Sequence, residues 1–399
     1  MRDMNSRKIV FFIVTAVLVF FLFNPFGGGK PSARGTGRAA QKAILAYTDT
    51  HFIKPENLVL SMFDTDDVVL IGEQQRIAEQ VDFVKELIPR LYDAGVYALG
   101  IEYANAADQE LIDGAISAPE YDEAAVRRIL FDYLVIWGFS EYEDLFEAAW
   151  KVNRNLAPGQ APFRILGLNI ERNWEVLKTR EDLENPQKKR AVISAGLPDQ
   201  VMADTLLSYL RETGGKAAVL CDFQSAFTEF RFPQYVERAK AEGFPSTLRF
   251  GNFLYRELDG RVAVVLLHGP WLDNSQMSGV NYPMNGAIDK MLRSLPPDRR
   301  SFGVRVGGTP YAALPVSGNF ERGSAGLTLG DLADGYVVLG PISEYTPVTP
   351  IAGFIDEGNF KEAIRNFPGP DPGTVSADDL NGFISTITED TKKMLDNFR

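Results

Sequence analysis

The amino-acid sequence predicts an α/β fold, with a mainly parallel, mixed sheet flanked by helices and preceded by one N-terminal transmembrane helix. Short runs rich in Val, Ile and Leu alternate with longer stretches in which apolar residues recur at helical spacing. Such alternation is typical of βαβ units, which build a parallel sheet covered by helices. With 399 residues, 45% of them hydrophobic, the chain can bury a large core in one or two domains.

The clearest βαβ unit spans Val68–Tyr103. The run VVLIGE predicts a strand that ends at Glu73, and a helical apolar pattern follows from Ile77 until Ala94–Gly95. The run ALGIEY predicts a second strand, which ends near Glu102. A right-handed crossover makes the two strands parallel, so both carboxylates should lie at adjacent strand ends on the carboxyl edge. Open α/β sheets bind their ligands at that edge.

The amino terminus has the composition of a membrane segment. Basic residues precede a charge-free run, Ile9–Gly29, which as a helix of about 30 Å would just cross a bilayer. We interpret residues 1–29 as a retained anchor, with a cleaved signal peptide as the alternative, because no good small-x-small cleavage site follows Phe26. Residues 30–39 have linker composition. Both alternatives predict a chain whose bulk, residues 40–399, is extracytoplasmic, and the anchor would make it a single-pass protein of the cytoplasmic membrane.

Charge and metal-ligand content exclude several classes of function. The formal net charge of −12 would repel phosphate backbones, so nucleic acid is not expected as a partner. The single cysteine, Cys221, excludes an internal disulfide and a cysteine-rich zinc site. His51 and His268 are the only histidines, which leaves at most a two-histidine site.

The remaining elements are predicted from periodicity and turn signals. A capping box at Ser140–Glu143 should open one helix, and Asp259–Gly260 should join two antiparallel strands as a hairpin. Residues 272–330, rich in Gly, Pro and Asn, are expected to form an irregular cover over the carboxyl edge. Further helices are predicted at about 39–48, 108–116, 122–134, 197–213 and 377–398, and further strands at 163–169, 216–223 and within 334–356.

The first βαβ unit also carries a family resemblance. A strand ending in Gly-Glu, a Gln in the following helix and a second strand ending in Ile-Glu resemble the ChaN/Tiki superfamily, which includes the erythromycin esterases. Further similar blocks are WGFSEYEDLFEAAWKVNRNL with FRILGLN, KAAVLCDFQSAFTEFR, RVAVVLLHGPW and ADGYVVLGPISEYTPVTPIAGFI, and together they cover about half of the chain. The resemblance implies a metal-assisted hydrolase site, as in some members, or haem or iron binding, as in others.

The sequence departs from the family pattern at two positions where histidine is expected. Gln74–Gln75 follow the first Gly-Glu, and Gln224 stands at the end of the fourth strand. A glutamine amide binds transition metals poorly and cannot titrate. Neutral imidazole binds these metals well and can take up a proton near neutral pH. The resemblance therefore implies a pocket that keeps its shape while its divalent-metal chemistry is weakened.

The candidate site residues follow from strand ends and from the resemblance. Three side chains are expected to take part in chemistry, namely Glu73, Glu102 and His268. Five more are expected to contact a ligand, namely Gln74, Gln75, Asp222, Gln224 and Asn169. The structural alternative is that each caps a helix, pairs with an arginine or makes strand-end hydrogen bonds. Weaker candidates are Tyr103 as a haem ligand, Cys221 paired with His268, His51, Asn153 and Asn155.

Two functional hypotheses from different classes remain open. In the first, the domain binds a small molecule or a peptide and is a catalytically degenerate relative of metal-dependent hydrolases. In the second, it hydrolyses ester or amide bonds, with Glu73 as general base and His268 or a carboxylate-bound metal assisting. Haem or iron uptake is a further alternative that only the resemblance implies.

Overall fold

A computed structural model describes residues 37–273, 279–316, 326–369 and 375–399. Its centre is a seven-stranded sheet in the order β3-β2-β4-β1-β5-β9-β8, in which β8 is antiparallel to β9 and the other pairs are parallel. A separate two-stranded ribbon pairs β6 with β7. The strands are β1 Val68–Glu73, β2 Ala98–Asn105, β3 Arg164–Asn169, β4 Ala217–Asp222, β5 Val262–Leu267, β6 Trp271–Asp273, β7 Gly279–Asn281, β8 Phe302–Arg305 and β9 Gly335–Val338.

Helices cover both faces of the sheet. Those of the described residues are α1 Arg38–Thr50, α2 Pro55–Met62, α3 Ala78–Asp93, α4 Gln109–Ser117, α5 Glu123–Tyr133, α6 Ser140–Arg154, α7 Pro186–Val192, α8 Pro198–Thr213, α9 Pro233–Ala241, α10 Phe250–Glu257, α11 Ala287–Leu292, α12 Phe360–Arg365 and α13 Ala377–Asp396. The predicted α/β class with a mostly parallel, mixed sheet is thereby confirmed.

The core lies on both sides of the sheet, because its central strands are buried on both faces. In β1, Val69 and Ile71 pack with helices α3, α5 and α6, whereas Val68 and Leu70 pack with α8 and α10. This alternation is the two-residue period of a strand applied to two apolar layers. Polar side chains can therefore reach solvent from these strands mainly where the strands end.

Strand order corrects one part of the predicted βαβ unit. The two strands are parallel as expected, but β4 lies between them, since β4 pairs with β1 through Glu73 and Asp222 and with β2 through Ile101 and Leu220. The prediction that Glu73 and Glu102 end neighbouring strands is therefore wrong. Asp222, at the end of β4, stands between them.

The predicted hairpin at Asp259–Gly260 is also wrong. The first arm is helix α10, which buries Phe250, Phe253 and Leu254 at helical spacing. Asp259 and Gly260 have φ values of 50° and 79° and turn the chain from this helix into β5, which is parallel to β1. The high β propensity of the aromatic residues favours a strand, but their spacing places them on one face of a helix.

The predicted capping box at Ser140 is not formed. The residue that precedes helix α6 is Phe139, whose side chain makes no capping hydrogen bond. The Ser140 hydroxyl instead donates to the Thr349 carbonyl at 3.0 Å, and Glu141 accepts from the Thr349 amide at 2.8 Å. The side chains of Ser140 and Glu141 therefore hydrogen-bond a segment that is distant in the chain instead of capping the helix.

The segment 272–330 is more regular than expected in its described part. It contains β7, α11 and β8 as well as the end of β6. Among the described residues, no helix is both long enough and apolar enough to cross a membrane. The predicted anchor at 1–29 and most of the predicted linker lie outside the described residues.

Candidate functional site

Three carboxyl side chains converge at the carboxyl edge of β1, β4 and β2. Glu73 and Asp222 are register partners in adjacent strands, and the Glu73 carbonyl accepts from the Phe223 amide at 3.0 Å. Glu102 joins them because its Oε2 accepts from the Asp222 amide at 2.9 Å. The register of β2 against β3 shifts between Ile101 and Asn105, and such irregularities redirect side chains at strand ends.

Glu73 is the deepest member of this group. Its side chain is fully buried, and Oε1 accepts from the Tyr142 hydroxyl at 3.0 Å. Burial raises the pKa of Glu73 from 4.5 to about 8, although the nearby hydroxyls of Tyr103 and Tyr142 favour the charged form. At neutral pH this carboxyl group is therefore mostly protonated, which does not suit the role of general base predicted for it.

Glu102 and Asp222 form the outer, half-buried part of the group. Burial and the neighbouring charge of Asp222 raise the pKa of Glu102 to about 7, against the opposing effect of Arg249. Burial also raises the pKa of Asp222, again opposed by Arg249. Glu102 is consequently close to half-protonated at neutral pH, the condition under which a side chain can both accept and donate a proton.

Arg249 supplies the positive charge beside the outer carboxyl groups. Its Nε donates to Asp199 at 2.8 Å, its Nη2 donates to the Ser225 hydroxyl, and its guanidinium lies 4.8 Å from the ring centre of Tyr235. Burial alone would lower the pKa of Arg249, but the Asp199 carboxylate raises it above the ordinary value. Sequence reasoning missed this residue because Arg249 and Asp199 are far apart in the chain.

Asn169 holds the outer part in place rather than presenting free groups to a ligand. Its Nδ2 donates to the Glu102 carbonyl at 2.9 Å, and its Oδ1 accepts from the Ile170 amide and from Arg172 at 3.0 Å. Arg172 in turn lies over the ring of Tyr133. Asn169 thereby ties the ends of β2 and β3 together and fixes a second arginine near the edge.

The loop after β1 carries Gln74, Gln75 and Arg76. The Gln74 amide donates to Gln80 Oε1 at 2.7 Å, and Gln80 Nε2 donates to the His268 carbonyl at 2.9 Å, so this helix residue fixes the loop. Gln74 is buried, Gln75 is half-buried, and the Gln74 Oε1 atom has no hydrogen-bond partner within the described part of the chain. Both glutamines therefore directly follow the carboxyl end of β1.

Arg76 is a buried cation that the sequence did not single out. Its φ of 70° lies in the left-handed region, which costs about 1–3 kcal/mol for a residue other than glycine. Its amide donates to the Tyr142 hydroxyl at 3.1 Å and its carbonyl accepts from the Val348 amide. Burial lowers the pKa of Arg76 to about 10, so the guanidinium remains charged at neutral pH.

Gln224 lies on the turn that follows β4. It is half-buried, and its amide donates to Asp222 Oδ1 at 2.9 Å. This hydrogen bond places Gln224 in the same turn as the central carboxylate. Gln75, Glu102, Asp222 and Gln224 are thus half-buried polar residues at this edge.

His268, predicted as catalytic, is fully enclosed by hydrogen bonds. Its side chain is 0% exposed, Nδ1 lies 2.9 Å from the Tyr336 hydroxyl, and Nε2 lies 3.2 Å from Asp289 Oδ2. Asp289 Oδ1 also accepts from the Ile342 amide at 3.2 Å. Both ring nitrogens therefore serve a buried network that joins β5, β9 and α11.

The weaker candidates have structural surroundings. Burial raises the pKa of the Cys221 thiol well above its ordinary value, which suits an inert side chain. His51 is exposed and stacks on Tyr47. Asn153 hydrogen-bonds Ile116 and Phe163, and Asn155 hydrogen-bonds Lys151.

Two further observations bear on ligands. In the described ranges, no three His, Cys, Asp or Glu side chains converge closely enough to hold a metal ion.

A cavity of about 570 Å³ opens at the opposite, amino edge of the sheet, lined by Phe63, Gly95 and Lys216 among others. That cavity is separate from the carboxyl groups described above.

These features define an α/β protein with a carboxyl-rich site at the carboxyl edge of a mixed sheet. No protein-family model matches the chain, and no curated protein matches it.

Comparison with solved structures shows the fold. A succinoglycan biosynthesis protein has a TM-score of 0.51 at 13% identity, over 78% of this chain and 99% of that one. A protein from Bacillus cereus gives a TM-score of 0.47 at 13% identity, over 78% and 98%. The haem-binding ChaN of Campylobacter jejuni gives 0.32 at 15% identity, over 56% and 88%. We conclude from the first of these that the chain shares an α/β fold with a known structure.

Proposed function

We propose that this chain binds a polar ligand at the carboxyl edge of its sheet, between Glu73 and the half-buried residues Gln75, Glu102, Asp222 and Gln224. The observation that supports the proposal is a set of buried polar atoms without partners, which are Glu73 Oε2, Gln74 Oε1 and the Tyr103 hydroxyl, all within the described residues. A buried polar atom that loses its partner costs about 1–3 kcal/mol. A polar ligand that supplies those partners would recover this free energy on binding.

The surroundings of the site support a ligand rather than a second structural network. Three side chains hold members of the site in position. Asn169 hydrogen-bonds Glu102, Gln80 hydrogen-bonds Gln74, and Asp199 hydrogen-bonds Arg249. In a preorganised binding site, the site residues are held rigidly while some of their polar atoms remain available for hydrogen bonds to the ligand.

The proposal can be tested by a screen for ligands on the full 399-residue chain. A library of small polar molecules and short peptides should contain compounds that raise the melting temperature, because a ligand that binds only the folded state stabilises it. Gln224→Ala and Glu102→Gln should weaken these compounds, while Glu237→Ala, an exposed carboxylate on α9, should not. Ligands that bind the edge variants as tightly as the original chain would contradict the proposed location.

Hydrolysis of an ester or amide bond is the second candidate function. It is favoured by the pKa of Glu102, raised to about 7, beside Asp222 and Arg249. In this form of the hypothesis Glu102 takes the general acid–base role first assigned to Glu73. Turnover of ester or peptide substrates that is lost in Glu102→Gln and kept in Glu237→Ala would favour it over binding alone. Turnover measured with and without a chelator would show whether a metal ion takes part.

Haem ligation by Tyr103 has weaker support. The side chain is 1% exposed, stacks on Trp137 with a 4.8 Å centroid distance and contacts the rings of Tyr133 and Tyr142. Haem is a large planar group, and the rings of Trp137, Tyr133 and Tyr142 already pack around this side chain. An absorption spectrum of the purified chain with added haem tests the alternative.

We further propose that residues 9–29 anchor the domain in the cytoplasmic membrane with its bulk outside. The support is the charge-free apolar run of that length behind Arg2, Arg7 and Lys8. Fractionation of cells followed by protease treatment of intact spheroplasts should place the domain in the membrane fraction and degrade it. Amino-terminal sequencing would distinguish a retained anchor from a cleaved signal peptide.

A further inference from the structure

We propose that the inner part of the site binds an anionic oxygen group, the carboxylate or phosphate of its ligand, through the Glu73 carboxyl, the Tyr103 hydroxyl and the Arg76 guanidinium. The inference rests on the proposed binding function and names the class of group that the inner part accepts. The outer residues Glu102 and Asp222 then contact the remainder of the ligand.

Tyr103 offers a hydroxyl donor in a fixed position. Its ring is stacked on Trp137 and packed edge-on against Tyr133 and Tyr142, so the hydroxyl has little freedom to move. The oxygen is buried and lies near enough to Glu73 to favour the charged form of that carboxyl, but it has no partner at hydrogen-bonding distance among the described residues. A phenol in this setting needs an acceptor for its proton, and anionic oxygens are the strongest acceptors.

Glu73 also presents a donor. Oε1 already accepts from Tyr142, which leaves Oε2 as the atom without a partner in the described structure. Burial raises the pKa of the group to about 8, and the charges of Asp222 and Glu102 raise it further, so a proton remains on the carboxyl at neutral pH. A protonated carboxyl can donate to an anion, whereas a carboxylate would repel it.

Arg76 supplies the positive charge. The guanidinium is buried and interacts electrostatically with Tyr142, Asp390, Tyr103 and Glu73. Its strained backbone is held on one side by Tyr142 and on the other by Val348. Backbone strain of this kind persists where surrounding contacts impose it and often marks a functional position. A guanidinium matches the geometry of carboxylate and phosphate groups, so the inner part combines one cation with two neutral donors.

The experiment measures binding of acetate, inorganic phosphate and the neutral analogue acetamide to the full chain by calorimetry. We expect one of the two anions to bind, and acetamide to bind at least tenfold more weakly. Acetate alone would identify a carboxylate as the preferred group, and phosphate alone a phosphate. Tyr103→Phe should weaken the anion at least tenfold, because a hydrogen bond to a charged group contributes enough for that change.

Charge at position 76 is tested separately. Arg76→Gln should abolish anion binding and Arg76→Lys should restore part of it, while Arg90→Gln, an exposed arginine on α3, should leave it unchanged. If Arg76→Gln fails to fold, Tyr103→Phe alone decides, because it removes only a hydroxyl that has no hydrogen-bond partner within the described residues.

The inference and the proposed function fail in different ways. Acetamide binding as tightly as the anions, or no binding of either anion, would overturn the inference. In that case the polar-ligand site still stands if library compounds bind and lose affinity in Gln224→Ala. Absence of any ligand that responds to the edge variants would overturn both.

Discussion

Glu73 and His268 stand close to the carboxyl ends of neighbouring strands, β1 and β5, and both are completely buried. Their hydrogen bonding differs. Both ring nitrogens of His268 have partners, Tyr336 and Asp289. Glu73 has a partner for one oxygen only among the described residues, and the adjacent Tyr103 hydroxyl has none.

This difference separates a structural residue from a candidate site residue better than residue type does. Buried polar groups in native proteins are almost always satisfied, so a satisfied histidine needs no functional explanation. A group of unsatisfied atoms at one strand end does need one. His268, which the sequence analysis predicts to be catalytic, is thus a satisfied structural residue. Glu73 is a candidate site residue.

The largest effect expected of a substitution at neutral pH concerns the satisfied network. Asp289→Ala removes the acceptor of His268 Nε2 and of the Ile342 amide, and leaves both buried without a partner. We expect the free energy of unfolding to fall by about 3 kcal/mol, as is typical when one member of a buried pair is removed. Urea denaturation measures this change, with Glu237→Ala as the exposed control. A loss below about 1 kcal/mol would mean that the network contributes little to stability.

The next effect is a pH dependence of stability caused by Glu73. Its pKa is raised from 4.5 in the ordinary state to about 8 in the folded state, so between these values the folded protein holds a proton that the unfolded chain releases. Stability should therefore decrease as pH rises from about 5 to 8, by up to about 1.4 kcal/mol per pH unit for this one group. Glu102, with a pKa raised to about 7, adds a decrease of the same sign over a narrower range.

Glu73→Gln isolates this contribution, because the amide resembles the protonated carboxyl and does not titrate. The variant should show a shallower decrease of the free energy of unfolding between pH 5 and pH 8 than the original chain. Urea denaturation at several pH values compares the two slopes. Parallel curves would show that Glu73 is already ionised in the folded protein at neutral pH.

A smaller effect is expected for Tyr142→Phe. The Tyr142 hydroxyl donates to Glu73 and accepts from the Arg76 amide, so its removal leaves two buried groups unsatisfied. The free energy of unfolding should fall by about 1–3 kcal/mol. The pKa of Glu73 should also rise further, since a donor that favours its charged form is lost. A melting temperature equal to that of the original chain would contradict this assignment.

Much of the fold could be predicted from local patterns. The strand–helix–strand unit after Val68 and the end of α8 at Gly214, which has a φ of 62°, follow from periodicity and turn residues. The position of Glu73 at a strand end follows as well. Strand order cannot be predicted in this way, because no residue pattern within the βαβ unit indicates that β4 lies between its two strands.

The residues that surround the carboxyl groups could not be predicted for the same reason. Arg249 approaches them from the start of α10, a segment interpreted as a strand, and is oriented by Asp199 from another helix. The Tyr103 hydroxyl has no hydrogen-bond partner in the described part of the chain, and its position depends on three other aromatic rings that pack around it. Such features arise from tertiary packing and have no local signal in the chain.

The smallest expected effect is the most informative for the comparison. Tyr103→Phe should leave the free energy of unfolding within about 0.5 kcal/mol of the original value, because the hydroxyl that it removes has no partner among the described residues. Removing a buried, unsatisfied polar atom can even be stabilising, since the desolvation cost of that atom disappears. Tyr103→Phe and Tyr142→Phe each remove a phenol hydroxyl, from two neighbouring rings of one aromatic cluster, so their free energies of unfolding can be compared directly. If the two substitutions cost equally, the Tyr103 hydroxyl is satisfied in the unliganded protein, and the contrast between the Glu73 and His268 strand ends no longer identifies a binding site.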